Sequence, residues 1–78
     1  MADAVADRVC KVIASTLKVP VERVVPKAHL IRDLGMESVQ SVELIAALEE
    51  EFDIEIDADK AGGVVTVEKS IEYVNKAL

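Results

Sequence analysis

Aromatic side chains are nearly absent from this sequence: it has no tryptophan, one phenylalanine (Phe52) and one tyrosine (Tyr73). A core must therefore be built from valine, isoleucine, leucine and alanine, which supply most of the 51% hydrophobic content. At 78 residues the chain forms one small domain, residues 1–78, with a modest core. Its stability is expected near the low end of the usual range of about 5–15 kcal/mol. Such a core can open a cavity at little cost. Cysteine is as scarce. Cys10 alone cannot form an internal disulfide, and one cysteine with one histidine, His29, makes no structural metal site. A reducing compartment fits. No charged-then-apolar leader opens the chain and no apolar run approaches a membrane span. A soluble, cytoplasmic, monomeric protein without stable membrane insertion is expected.

Basic charge is the third scarcity. The formal net charge is -6 and the pI about 4.6, which argues against nucleic acid and anionic membranes as partners and for a basic partner surface. Between Asp33 and Asp59 stand ten acids (Asp33, Glu37, Glu43, Glu49, Glu50, Glu51, Asp53, Glu55, Asp57 and Asp59) and no base. The chain thus divides into a strongly negative segment and a mildly positive remainder. Ser38 lies inside the negative segment, where a loop gives way to a helix.

Along the chain, Val5, Val9, Val12, Ile13 and Leu17 recur at helical spacing and predict a first helix over 3–17, with Asp7, Arg8 and Lys11 on its outer side. Cys10 falls at the edge of that stripe and reads as an inert helix residue. Pro20 and Pro26 punctuate Lys18 to Arg32, a long loop with one turn after Pro20, anchored by Leu30, Ile31 and Leu34. A second helix from Ser38 to about Phe52 turns Leu44, Ile45, Leu48 and Phe52 inward with Ser41 on the same side. Val39, Gln40, Glu43, Ala46, Ala47 and Glu50 face the other way. Glu49 to Glu51 oppose the helix dipole at its C-terminus, with no lysine four residues away. A solvated acidic face is the plain reading, but such a face normally mixes signs and this one does not, which favours a docking surface. Asp53 to Asp57 alternates like a strand but has no partner strand, so it reads as a connector with Ile54 or Ile56 turned inward. Gly62-Gly63 weakens any short helix between Asp57 and Val65. Thr66 caps a last helix whose inward stripe is Val67, Ile71, Val74 and Leu78.

Three chemical readings compete at these residues. A serine hydrolase would pair Ser38 with His29 and Asp33, but there is no G-x-S-x-G elbow and too little chain to wall a substrate cleft, so enzyme activity is not expected. His29 reads instead as a loop surface residue. A calcium loop from Asp57 to Glu68 matches the EF-hand spacing at Asp57, Asp59, Gly62, Val64 and Glu68. It brings no side-chain oxygen at Ala61, and the alternation before Asp57 suits no entering helix. Ser38 as a plain helix N-cap is the blandest account, since serine is a preferred cap. A hydroxyl at a helix N-terminus is also exposed, and the dipole there suits a phosphate.

The chain resembles the acyl carrier proteins. The resemblance runs from the first amphipathic helix through Asp33-Leu34-Gly35 and Glu37-Ser38-Val39 to Val42-Glu43-Leu44, Leu48-Glu49-Glu50-Glu51-Phe52 and Thr66-Val67 through Tyr73-Val74. It implies a small all-α four-helix bundle with a short or weakened third helix and a long loop between helices 1 and 2. It implies no catalysis but a free-standing carrier role, in fatty-acid or specialised lipid biosynthesis, with 4'-phosphopantetheine from coenzyme A attached to Ser38 by a holo-carrier synthase (a phosphopantetheinyl transferase). By resemblance, Leu30, Leu44, Ile45, Leu48, Ile56, Ala61 and Val64 line an acyl pocket. Glu37, Val39, Gln40, Glu43, Ala46, Glu49 and Glu50 dock basic patches on synthases, reductases and acyltransferases. Where the family usually has Asp-Ser-Leu this chain has Glu37-Ser38-Val39. Gln40 is neutral, Ala46 small, and Gly62-Gly63 falls in the short helix. These departures suggest a dedicated pathway. A peptidyl or polyketide carrier, the calcium binder and an unmodified acidic interaction module are the alternatives.

Overall fold

The computed structural model of the chain describes residues 4–57 and 65–78. Helix α1 spans Ala4–Leu17, a single 3-10 turn Val21–Arg23, helix α2 Ser38–Phe52 and helix α3 Val67–Ala77. The fold is all-α. The described residues contain no strand, only one isolated antiparallel bridge between His29 and Thr66. The short helix expected around Gly62-Gly63 lies outside the described residues.

α1 is the element against which the others pack: both α2 and α3 lie on it. Val9, Ile13 and Leu17, spaced at i, i+4 and i+8, are buried, and Val5 and Val12 flank them half-buried. The helix stops because Lys18 takes a left-handed φ of 58° and the Val19 N–H returns to the Ala14 carbonyl at 3.1 Å. Pro20 then forecloses continuation, and the single turn expected after it is Val21–Arg23.

The long loop is packed down rather than loose. Val24, Ala28, Leu30 and Leu34 are all buried. Ile31, expected as an anchor, is 55% exposed. The reason is local geometry: Asp33 and Leu34 both donate to the His29 carbonyl, at 2.9 and 3.1 Å, so the segment coils as a helical turn. Residues four apart share a face of such a turn, and adjacent ones do not. Leu30 and Leu34 take the core side and Ile31 the outside. Gly35 follows with a φ of 70°, a left-handed conformation that suits glycine and redirects the chain into α2.

In α2 the inward stripe is Leu44, Leu48 and Phe52, with Ile45 half-buried. Asp53, left-handed with a φ of 52°, ends the helix by donating to the Glu49 carbonyl. Ile54 and Ile56 are both half-buried against the core, so the connector turns alternate residues inward. α3 opens as expected: Thr66 Oγ1 accepts the Lys69 N–H at 3.2 Å. Val67 and Val74 are buried. Leu78, expected on the inward stripe, is 59% exposed because α3 ends at Ala77 and leaves it past the packed turn. Ser70, not expected inward, is only 2% exposed, and it can be buried because its hydroxyl donates to the Thr66 carbonyl at 3.1 Å.

The acids at the end of α2 are not all uncompensated. Arg8 of α1 donates through Nε to Glu51 Oε2 at 2.8 Å and through Nη2 to the Glu51 carbonyl, and its guanidinium lies 4.5 Å from the centre of the Phe52 ring. One side chain thus answers an acid, a free helix-end carbonyl and an aromatic face. The ion pair is half-exposed, so screening leaves it little on its own. The ring contact and the carbonyl bond supply the rest. Arg8→Met is expected to destabilise the protein by about 1 kcal/mol, read as a lower unfolding midpoint in denaturant. An unchanged midpoint would show that the contact contributes nothing.

Candidate functional site

The site is built where the loop meets α2. Asp33 Oδ2 accepts the His29 N–H at 2.6 Å, and His29 Nδ1 accepts the backbone N–H groups of Ile31 and Arg32 at 3.2 and 3.1 Å. The imidazole therefore knits a turn, and the carboxylate binds backbone instead of orienting the ring. His29 is half-buried and bridged to Thr66, not a free surface residue. Arg23 Nη2 adds a bond to the Asp33 carbonyl at 3.2 Å, and the Met36 N–H reaches Leu30 O at 2.9 Å. These bonds fix the approach to α2.

Glu37, not Ser38, is the N-cap. It has extended backbone angles and pairs with Gln40 as a capping box, with its N–H donated to Gln40 Oε1 at 2.9 Å. Ser38 is then the first residue of the helix. Its side chain is exposed, and among the described residues its hydroxyl makes no hydrogen bond. Ser41 differs: its hydroxyl donates to the Ser38 carbonyl at 2.6 Å. The one serine left chemically free at this helix end is Ser38.

A surface hollow lies beside it, walled by Ile31, Met36, Glu37, Val39 and Ser41. Met36 and Ser41 also wall a half-open cavity of about 70 Å³, so the two spaces adjoin. The cavity brings together Leu30, Leu44, Ile45, Leu48 and Ile56, five of the seven residues expected to line a pocket. The other two, Ala61 and Val64, lie outside the described residues. Met36, Ser41, Ser70, Tyr73 and Val74 complete the wall. Periodicity places Ser41 and Val74 inward, but no local pattern signals that Met36 or Tyr73 would meet them.

The seven residues expected on a docking face fall into two groups. Glu43, Ala46, Glu50 and Val39 are exposed, Val39 at 61%. Glu37 and Gln40 are engaged in the cap, and Glu49 Oε2 accepts the Ile56 N–H at 2.8 Å, tying α2 to the connector. Val42, 68% exposed, lies one turn from Val39 and extends an apolar stripe toward Ala46. Its position outside the inward stripe was the available signal.

Cys10 is half-buried, and burial with the nearby Asp7 charge raises its pKa, which keeps the thiol protonated. Among the described residues no group of His, Cys, Asp and Glu gathers to hold a metal. Most of the Asp57 to Glu68 calcium spacing lies outside those residues. No helix among them is long and apolar enough to cross a membrane. A family model described as Phosphopantetheine attachment site matches residues 7–74, which include the whole of this site.

Proposed function

The chain belongs to the phosphopantetheine attachment site family, whose domains bear the 4'-phosphopantetheine prosthetic group, and on that premise we propose that it carries acyl chains as thioesters on an arm esterified to Ser38. The supporting observation is the exposed Ser38 hydroxyl, without a hydrogen bond among the described residues, beside a hollow that shares Met36 and Ser41 with an apolar cavity. When attached, the arm supplies the thiol that holds the cargo. The protein's own residues do the rest. The α2 N-terminus favours a phosphate on Ser38, the capping box keeps that end in place, and Leu30, Leu44, Ile45 and Leu48 offer hydrocarbon walls.

We place the whole of residues 1–78 in one cytoplasmic, monomeric carrier domain serving fatty-acid or specialised lipid synthesis. A peptidyl or polyketide cargo would use the same serine. The leucine and isoleucine walls favour a hydrocarbon chain. Intact mass spectrometry after incubation with coenzyme A and a promiscuous phosphopantetheinyl transferase tests the proposal. One phosphopantetheine increment, mapped to the peptide holding Ser38, is expected, and no increment would overturn it.

Phosphopantetheinyl transferases and synthases are the general partners of such domains. We assign their docking to Val39, Val42 and Ala46, with Glu43 and Glu50 as the exposed charges beside them. An apolar stripe edged by acids fits an apolar patch edged by lysine and arginine. Glu43→Lys combined with Glu50→Lys is expected to slow association with a basic transferase by about ten-fold at low salt, through lost steering. The deficit should shrink as salt rises. A salt-independent deficit, read by stopped flow, would point to another cause.

A further inference from the structure

The cavity is mostly hydrocarbon, but its lining includes two hydroxyl-bearing residues whose bonding leaves complementary capacities. Ser70 and Tyr73 stand three residues apart on α3, on one face of the helix. The Ser70 proton is committed to the Thr66 carbonyl at 3.1 Å, so its oxygen offers only lone pairs. The Tyr73 oxygen accepts the Asp57 N–H at 3.2 Å, and among the described residues its own proton has no acceptor. The two lining residues therefore offer an acceptor and a donor. An alcohol is the group that both donates and accepts.

We propose that Ser70 and Tyr73 make this pocket selective for acyl chains bearing a hydroxyl near the thioester. This rests on Ser38 carrying the arm. A hydroxyl on the cargo donates to Ser70 Oγ and accepts from Tyr73 O–H. A ketone at the same carbon can only accept, so it engages Tyr73 alone, and a methylene engages neither. The predicted order of retention is hydroxyacyl, then ketoacyl, then plain acyl. Ser70 is already satisfied without cargo, so the plain chain is tolerated and not expelled. The cavity volume of about 70 Å³ matches a few carbon atoms, which makes four-carbon cargoes the right probes.

The test loads the full chain with 3-hydroxybutyryl, acetoacetyl or butyryl groups, using the corresponding coenzyme A thioesters and a promiscuous transferase. Two readouts follow: the thermal unfolding midpoint, and the rate at which hydroxylamine attacks the thioester carbonyl to give a hydroxamate and the free thiol. Each rate is divided by that of the same pantetheine thioester free in solution. The hydroxybutyryl protein should be protected about five-fold more than the butyryl protein, the effect of about one hydrogen bond, and should melt higher. Ser70→Ala should erase most of that difference while leaving the Tyr73 bond to the connector intact, and Tyr73→Phe should do the same from the donor side. Equal protection of the three cargoes in the unsubstituted protein, or a preference that survives in both variants, would overturn the proposal. A missing mass increment at the loading step would overturn the Ser38 assignment itself, whereas a loaded protein without hydroxyl preference overturns only the selectivity.

Discussion

The Ser38→Ala substitution is expected to leave the protein folded and wholly unable to take up a phosphopantetheine. The two halves of that result have separate causes. A phosphodiester needs an oxygen, and the Ser38 hydroxyl is the one exposed at this helix end without a hydrogen bond among the described residues. Stability is preserved because the cap belongs to other groups. Glu37 and Gln40 pair across the first turn, and Ser41 holds the Ser38 carbonyl at 2.6 Å. An exposed residue that makes no bond changes stability by about 0.5 kcal/mol or less when truncated. Ser41→Ala is the matched control. It should still accept the arm, since the Ser41 proton is occupied within the helix, but should unfold slightly earlier. Intact mass and thermal melting on both variants decide it. An increment retained by Ser38→Ala would place the attachment elsewhere.

The Leu30→Ala substitution should have the largest effect on stability among changes at the site. Leu30 is 1% exposed, lies in the core and walls the cavity. Its backbone is fixed on both sides, with its N–H donated to Val65 O at 2.8 Å and its carbonyl accepting from Met36 at 2.9 Å. The surroundings therefore cannot collapse fully onto the space left behind. Burial losses of this kind cost about 2–5 kcal/mol, a large share of the stability of a domain this size. The unfolding midpoint should fall by about 10 °C or more. The enlarged space adjoins the cavity, so loading a longer acyl chain on Ser38 should restore part of the loss, since a ligand held only by the folded state stabilises it. A loss below about 1 kcal/mol would mean that Leu30 is not a structural wall.

Much of the fold was legible because helical periodicity is a local property. The stripes Val9-Ile13-Leu17 and Leu44-Leu48-Phe52 appear in the core as spaced, and Thr66 caps α3 as its residue type suggests. Ile31 misled because apolar character says nothing of which side a coiled turn presents. Leu78 misled because the stripe outlasts the packed helix. Ser70 escaped notice because a lone serine shows its burial only once its helix partner is known. The site divides in the same way. The family resemblance pointed to Ser38 and to the five residues, Leu30, Leu44, Ile45, Leu48 and Ile56, that wall one cavity, but the engagement of Glu49 by Ile56 and of Glu51 by Arg8 depends on segments far apart in sequence. Whether an acid is available to a partner is a tertiary fact.

The arrangement of the helices bears on cargo size. α2 and α3 each rest on α1, and the cavity lies between the faces they turn to each other, Leu44 and Leu48 on one side and Ser70 and Val74 on the other. The arrangement resembles a book with α1 as its spine and the other two helices as covers. The width of the gap is then set by the angle between the covers, and Arg8 ties one of them to the spine at its outer corner.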